Sequence, residues 1–337
     1  MRRPTPWWLF LLIGCCSVLA VYCTYVSIHA SDVETGLVYA KESLSEYRDA
    51  LNGTRAFPYQ WRLLGVYLVY FGERATGLSP NAVDVVIKTV LMCASSITLF
   101  LFVRLTSSDL VALCSVVLYQ LLTVVGFTDG YLIYYTNDYL MVAAWFGAVY
   151  ALKLQHYAAA LVLTFIGSWA KETMLLVPIL VGLMVWRRRA PFWALVLAVA
   201  AFAVPTAALR WIYQAPLQKW AWWQMLFVNV PFLQATRAEL MMTLKNNVKV
   251  ALFFNVMWIV AARAAWRSRD RFEQELAVTS VIYLLLAYPV IYIRELRHFL
   301  PLAIVVLPLA LGELERRANH LSDSSTSATA TNTNTNG

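Results

Sequence analysis

Long apolar runs separated by short polar clusters fill most of this chain. Runs able to enter or cross the roughly 30 Å hydrocarbon layer of a bilayer lie at 7–29, 85–105, 109–127, 139–153, 157–170, 172–186, 191–212, 248–262, 275–293 and 299–313. Lipid offers no hydrogen bonds to the backbone, so a spanning segment must be a helix or part of a closed barrel. The runs lack the period-2 alternation of barrel strands. We therefore predict an all-α, polytopic transmembrane helical protein with about ten membrane helices.

The composition excludes a soluble domain. Of the 337 residues, 60% are hydrophobic and only 14% are charged, which leaves more apolar surface than a soluble core can bury. All five cysteines lie inside apolar runs, where a thiol acts as a small hydrophobe, so we predict no disulfide framework and no metal site. The net charge of +8 is spread over short clusters between the runs, as topology signals are, and implies no nucleic-acid partner.

The positions of the cations predict how the chain crosses the membrane. With a cytoplasmic N-terminus, alternate loops place the following clusters in the cytoplasm: Arg104, Lys153, Arg187 to Arg189, Arg263 to Arg271, and Arg316 with Arg317. This scheme requires the stretch 157–186 to be two short helices broken at Lys171 and Glu172, because a single span would put the arginine triplet outside. Both termini are then cytoplasmic, and the first run is a retained signal-anchor helix.

We expect one integral membrane domain over residues 1–317. Its first extracytoplasmic loop, 30–84, carries apolar positions at helical spacing among charged residues, which predicts amphipathic helices. Residues 318–337 offer nothing to bury and are predicted to form a disordered cytoplasmic tail. No internal repeat with matching broken helices is visible, which disfavours a secondary transporter built from two related halves.

Acidic residues open the first outer loop. Asp32 and Glu34 follow the first run directly, at the depth where membrane meets water. A carboxylate there can act as a general base toward a hydroxyl on a lipid-linked substrate. The alternative is that both residues simply end the helix in solvent. We take Asp32 and Glu34 as the catalytic candidates and favour Asp32.

Two other outer-loop residues have both a binding and a structural interpretation. Arg62 stands among aromatic residues, which suits an interfacial anchor and also a contact with a lipid phosphate. Asp138 follows a loop with several tyrosines, a mixture found on sugar-binding surfaces and in aromatic belts. Asp138 is also suited to capping the helix that follows it, and the sequence favours this interpretation.

Charged residues between apolar stretches are the strongest indication of a functional site in this sequence. Lys171 and Glu172 are costly at membrane depth and usually face a cavity or each other, although a short turn with snorkelling side chains would also hold them. Arg294, Arg297 and His298 lie on the outer side, against the positive-inside preference. They indicate an anionic ligand, unless the predicted topology is wrong in this region.

Several of these features together resemble a known group of enzymes. They are the first membrane helix, the acidic opening of the first outer loop, PYQWRLL at 58–64, AKETMLLVP at 170–178 and RELRHFLPLAIVVLP at 294–308. This pattern, spread over residues 7–315, resembles the bacterial members of the GT-C superfamily of polyprenyl-phosphate-sugar-dependent glycosyltransferases. In that superfamily the first outer loop carries a catalytic acid, often as an adjacent pair. The nearest match here is Asp32, which Val33 separates from Glu34.

The resemblance implies a hexosyltransferase type of reaction. A sugar would move from a polyprenyl-phosphate carrier to a glycan or lipid acceptor on the extracytoplasmic face of a bacterial inner membrane. A carboxylate would deprotonate the acceptor, and cations would stabilise the departing phosphate. The candidates for binding substrate or phosphate are Arg62, Asp138, Lys171, Glu172, Arg294, Arg297 and His298.

Other functions stay open at this point. A transporter or lipid flippase would use the broken helix to line its path, and a polysaccharide polymerase or assembly subunit would need similar charges. Transport would place charges at the bilayer midplane, whereas transfer chemistry gathers them at one interface, as the predicted topology does. No cofactor is firmly implied, but Asp32, Glu34 and Asp138 would suit Mg²⁺ or Mn²⁺ if they met in space.

Overall fold

The computed structural model describes residues 6–30, 52, 64–128, 136–212, 229–230, 233–234, 236–288 and 295–333. Over these residues the protein is helical and has no strands, which confirms the predicted all-α class. The helices are α1 (Trp7–Ala30), α2 (Leu64–Thr76), α3 (Pro80–Val103), α4 (Asp109–Thr128), α5 (Thr136–Lys153), α6 (Tyr157–Ser168), α7 (Leu176–Trp186), α8 (Phe192–Ile212), α9 (Arg237–Phe254), α10 (Met257–Arg267), α11 (Arg271–Ala287) and α12 (Ala303–Thr333). Short 3₁₀ segments, Glu172–Leu175 and Leu296–Leu302, precede α7 and α12.

Fewer helices than predicted are able to span a membrane on their own. Among the described residues, five helical stretches are long and apolar enough: Trp7–Val26, Pro80–Val103, Asp109–Phe127, Phe192–Trp211 and Leu296–His320. The bent pair α9 and α10 makes a sixth if it counts as one span. The predicted number of about ten membrane helices is therefore not confirmed, although a membrane protein with several apolar helices is.

One predicted span is broken by a bend. The run at 248–262 is not a single helix, because α9 and α10 meet at an angle of 57°. Asn255, between them, has a φ of 50°. Asparagine adopts positive φ more readily than most residues. The sequence around Asn255 has neither Gly nor Pro, so it gives no strong indication of the bend.

The region 157–186 folds as two short helices, as the topology scheme requires. The 12-residue α6 and the 11-residue α7 are each about 16–18 Å long at 1.5 Å per residue. The Tyr157 hydroxyl donates to the carbonyl oxygen of Arg189 at 3.1 Å, so the start of α6 and the end of α7 lie at the same end of the bundle. Lys171, in extended conformation between them, lies at the other end.

The helix α5 forms the centre of the bundle. Nearly all of its side chains are buried, so it is covered by protein on every side. The Trp145 indole N–H donates to the carbonyl oxygen of Pro301 at 2.9 Å, which joins α5 to the segment before α12. The middle of α5 and this segment are therefore held in fixed relation.

Ion pairs join several helices at the arginine-rich end of the bundle, where α5 and α7 end. Lys153 pairs with Asp270, and Arg189 pairs with Glu275 at 2.7 Å. These contacts connect the ends of α5 and α7 to the start of α11. Arg189, interpreted from the sequence as a topology signal, thus also holds helices together.

Uncharged hydrogen bonds occupy the middle of the bundle. Gln120 of α4 donates to the hydroxyl oxygens of Ser17 and Ser96 at 3.0 and 3.1 Å. Phe10 of α1 contacts Phe100 of α3, so α1 and α3 are antiparallel. The end of α1 at Ala30 consequently lies at the end of the bundle opposite the arginine-rich one.

The last helix is longer than the predicted run 299–313. The helix α12 continues to Thr333, through Ser- and Thr-rich residues whose composition predicts a disordered tail. Its apolar part is mostly buried, and the span that includes it begins at Leu296.

Candidate functional site

Five side chains, four of them buried, form a closed hydrogen-bonded loop at the end opposite the arginine-rich one. Lys171 donates to Oδ1 of Asp138, and Arg297 Nη1 donates to Oδ2 of Asp138 at 3.1 Å. Arg297 Nη2 donates to Oε2 of Glu295 at 2.6 Å. Nε2 of His298 lies 2.9 Å from the same oxygen, and Nδ1 of His298 lies 3.2 Å from Lys171 Nζ. We refer to these five residues as the charged network.

The Asp138 carboxylate joins the two cations of the network. Asp138 lies in the first turn of α5, where the helix dipole favours a negative charge. Its two oxygens point one each to Lys171 and Arg297. Asp138 therefore does more than begin a helix, because it connects the break after α6 to the segment before α12.

The segment Leu296–Leu302 places two network residues on one element. It forms a 3₁₀ helix that starts after Glu295. Glu295, in extended conformation directly before this helix, places its carboxylate 2.9 Å from Nε2 of His298. The backbone is anchored from α11, because the Tyr283 hydroxyl donates to the carbonyl oxygen of His298 at 2.6 Å.

The network fixes the protonation of the histidine. A lysine ammonium has donors only, so Nδ1 of His298 accepts from Lys171. The hydrogen of a neutral imidazole is then on Nε2, from which it is donated to Glu295. His298 is thus oriented as a neutral donor toward Glu295, and its Nδ1 is occupied by Lys171.

Glu295 lies at the border between the network and the surface. Its side chain is 20% exposed, whereas that of Arg297 is 1% exposed. Burial would raise the pKa of the Glu295 carboxyl, but the hydrogen bond from His298 and the charge of Arg297 outweigh it and lower the pKa to about 2. The carboxyl is therefore ionised across the physiological range.

A second buried ion pair lies close to the network. Lys88 and Asp84, one turn apart on α3, are paired at 2.5 Å, and the Thr136 hydroxyl donates to Asp84. The next residue, Asn137, accepts from the backbone N–H of Gly65 at 2.7 Å and holds α2 against the start of α5. Buried charge thus extends over the first turns of α3 and α5.

The arrangement suits recognition of an anion. Buried ions are expensive to desolvate and are kept when partners are close, so Lys171 and Arg297 are held in place by carboxylates. An arginine fork and an ammonium are the groups that bind phosphate in proteins. Within the described residues no group of three His, Cys, Asp or Glu side chains is arranged to hold a metal ion.

Four of the predicted binding residues come together in this structure: Asp138, Lys171, Arg297 and His298. Glu172 is half-buried at the start of the 3₁₀ segment beside Lys171. Asp32, Glu34, Arg62 and Arg294 lie outside the described residues. Their proposed roles stay predictions.

Sequence reasoning missed three charged residues of this region. Glu295 stands two and three positions before Arg297 and His298 and is not among the predicted site residues. Asp84 stands directly before the predicted apolar run at 85–105, and Lys88 lies within that run; neither is among the predicted site residues. Ser79 and Pro80 are a helix-start signal that places both residues on one helix at the i,i+4 spacing of an ion pair.

Comparison of the chain with models of protein families, with curated proteins and with solved structures finds no match in any of the three. The geometry of the charged network and the sequence pattern are therefore the basis for a functional proposal.

Proposed function

We propose that this protein is a membrane glycosyltransferase of the GT-C type that moves a sugar from a polyprenyl-phosphate carrier to an acceptor outside the cytoplasm. One observation carries the proposal: two buried cations, two carboxylates and a histidine meet at a single end of the helical bundle, opposite the arginine-rich end. Chemistry on a lipid-linked sugar takes place at a membrane interface, where such a cluster would serve it.

In this proposal the cations of the network bind the donor phosphate. Arg297 offers a planar fork and Lys171 an ammonium, and both would stabilise the negative charge of the departing polyprenyl phosphate. Asp32 would accept the proton of the acceptor hydroxyl. The sequence position of Asp32 supports this role, because α1 ends with Ala30 at the network's end of the bundle.

A transporter or lipid flippase is the alternative. A buried loop of Lys, His, Glu, Arg and Asp is also a feature of proton and ion pathways in membranes. A path across the bilayer, however, would continue such residues into the middle of the bundle. The described part of that region has the uncharged contacts of Gln120, Ser17 and Ser96, which favours the transferase.

The proposal is tested by sugar transfer with purified protein. Full-length protein in detergent is incubated with synthetic polyprenyl-phosphate sugars and a membrane extract as the source of acceptor. We expect transfer by the parent and none by Asp32→Asn, because an amide is isosteric but cannot take the acceptor proton. Glu34→Gln is measured in parallel. Activity of Asp32→Asn within a few-fold of the parent would remove Asp32 as the base.

A further inference from the structure

Glu295 is the most accessible member of the charged network. Its side chain is 20% exposed, against 5% for Asp138 and 1% for Arg297. It also has extended backbone angles, φ −90° and ψ 92°, directly before the 3₁₀ segment, whereas Asp138 is fixed in a helix. Of the two carboxylates in the network, that of Glu295 can therefore move away from its partners with the smaller change in the surrounding structure.

One oxygen of Glu295 accepts two hydrogen bonds. Oε2 accepts from Arg297 Nη2 at 2.6 Å and from His298 Nε2 at 2.9 Å. A phosphate oxygen takes the same kind of charge-assisted hydrogen bonds from the same groups. An oxygen of a bound phosphate would therefore find both donors if it took the place of Oε2.

The donors stay oriented when Glu295 is removed. Arg297 is still held by Asp138 through Nη1 at 3.1 Å, and His298 is held by Lys171 through Nδ1 at 3.2 Å. A side chain with a second partner keeps its geometry when one partner is exchanged. The network thus contains a preformed pair of donors that the Glu295 carboxylate covers.

We propose that the Glu295 carboxylate is an internal competitor for an anion site, and that a phosphate group displaces it from Arg297 and His298. The inference rests on the proposed function only in naming polyprenyl phosphate as the ligand, since any phosphate of suitable access would meet the same donors. Asp138 stays in place at the rear of the site, and the ammonium of Lys171, held beside His298, adds its positive charge to the site. Binding of the ligand moves Glu295 toward the surface and leaves the anion held by the two donors.

The competition operates at every physiological pH. The lowered pKa of Glu295, about 2, keeps the carboxylate ionised, so it is always present as a rival anion. Neutralising the side chain without changing its size should expose the site. Glu295→Gln does this, because glutamine is isosteric and carries no charge.

The experiment measures binding of two phosphate probes to full-length protein in detergent. Inorganic pyrophosphate represents a free anion, and polyprenyl phosphate in vesicles of zwitterionic lipid represents a lipid headgroup. We expect Glu295→Gln to lower the Kd of at least one probe about tenfold or more relative to the parent, the scale of losing one charge-assisted competitor. A gain for pyrophosphate shows that the phosphate alone is recognised, and a gain for the lipid alone shows entry from the bilayer.

A matched control comes from the other end of the bundle. Glu313 is also a buried glutamate held by arginines, Arg316 at 3.3 Å and Arg317 at 3.1 Å. Glu313→Gln should leave both Kd values unchanged. Adding Arg297→Ala to Glu295→Gln should remove the gain, because one of the two donors is lost.

The inference is overturned if Glu295→Gln leaves both Kd values within twofold of the parent or raises them, or if the gain survives without Arg297. Gel filtration reports whether Glu295→Gln is folded. If it is not, Glu295→Asp replaces it, and this variant should bind tighter than the parent because its shorter side chain no longer reaches both donors. Absence of sugar transfer with an intact Kd shift would refute the transferase and leave this inference standing.

Discussion

Arg297 donates a hydrogen bond from Nη1 to Oδ2 of Asp138 at 3.1 Å, across 159 residues of sequence. Both side chains are almost completely buried, at 1% and 5% exposure. Lys171 holds the other oxygen of Asp138, so one carboxylate pairs with two cations from distant parts of the chain. The stability of this end of the bundle should therefore depend on Asp138.

Asp138→Asn should destabilise the protein strongly. Removing one partner of a buried ion pair costs about 3–5 kcal/mol, because the remaining charges are left without compensation. The measurement is thermal unfolding in detergent. Asp109→Asn is the control, since Asp109 pairs with Arg104 at 2.6 Å but is 52% exposed, and exposed pairs contribute about 0–1 kcal/mol. Equal melting temperatures for the two variants would show that the network is not a stabilising contact.

Use of a lipid-phosphate donor should depend on the network cations. Arg297→Ala and Lys171→Ala should each reduce kcat/KM about ten- to a hundred-fold, the cost of one charged hydrogen bond. Arg188→Ala, at an exposed position of the arginine-rich end, should have little effect. Arg297→Lys should restore only part of the activity, because an ammonium keeps the charge and loses the fork. Similar kinetics for all three alanine variants would make the network structural.

The stabilising effect of Glu295 should disappear in acid. Its pKa is lowered from its usual 4.5 to about 2, so its contribution is complete above 4.5 and is lost as the pH falls toward 2. We expect the difference in melting temperature between the parent and Glu295→Gln to change between pH 6 and pH 3 and to be constant above pH 6. A difference that does not vary over this interval would exclude the ion pairs of Glu295 as its source.

Gly65→Ala should loosen α2 from the bundle. An added Cβ would lie 2.8 Å from Oδ1 of Asn137 and 3.0 Å from its backbone nitrogen, which is too close for an ordinary contact. Overpacking of this kind costs about 1–3 kcal/mol. Gly14→Ala in α1 is the matched control, because nothing lies within 4 Å of its added Cβ. The prediction fails if the two variants melt at the same temperature.

Cysteine labelling of a cysteine-free parent should report the predicted topology. Membrane-impermeant reagent added to intact cells should reach Ser45→Cys and Gln224→Cys, and should not reach Arg188→Cys or Ser325→Cys. The expectation rests on the positive-inside preference of the arginine clusters. Labelling of position 325 from outside would overturn the assignment of a cytoplasmic C-terminus.

Periodicity and charge predict where many of the helices lie, but not every bend between them. The helices α1, α4, α6 and α8 lie close to the predicted runs, because apolar length is encoded locally. The break at Lys171 could be deduced from the arginine triplet that follows it. The bend at Asn255 could not, because its positive φ depends on packing rather than on Gly or Pro.

The membership of the charged network could be predicted only in part. Lys171, Arg297 and His298 stood out because charged residues among apolar runs are rare. Glu295 stands in the same charged stretch as Arg297. Nothing in the local sequence shows whether its carboxylate pairs with Arg297 or faces solvent. The pair of Asp138 and Arg297 joins residues 159 apart, and the spacing of residues in the sequence carries no signal of such a contact.

The order in which the chain is synthesised determines when the charged network can exist. The ribosome makes Lys171 127 residues before His298, which at about 5–20 residues per second is an interval of roughly 6–25 s. During that time Asp138 and Lys171 are already in the nascent chain, and the partners that complete their hydrogen bonds have not been translated. The network closes only when the last helix is inserted, so a chain truncated before Glu295 would present quality-control proteases with a half-assembled polar cluster.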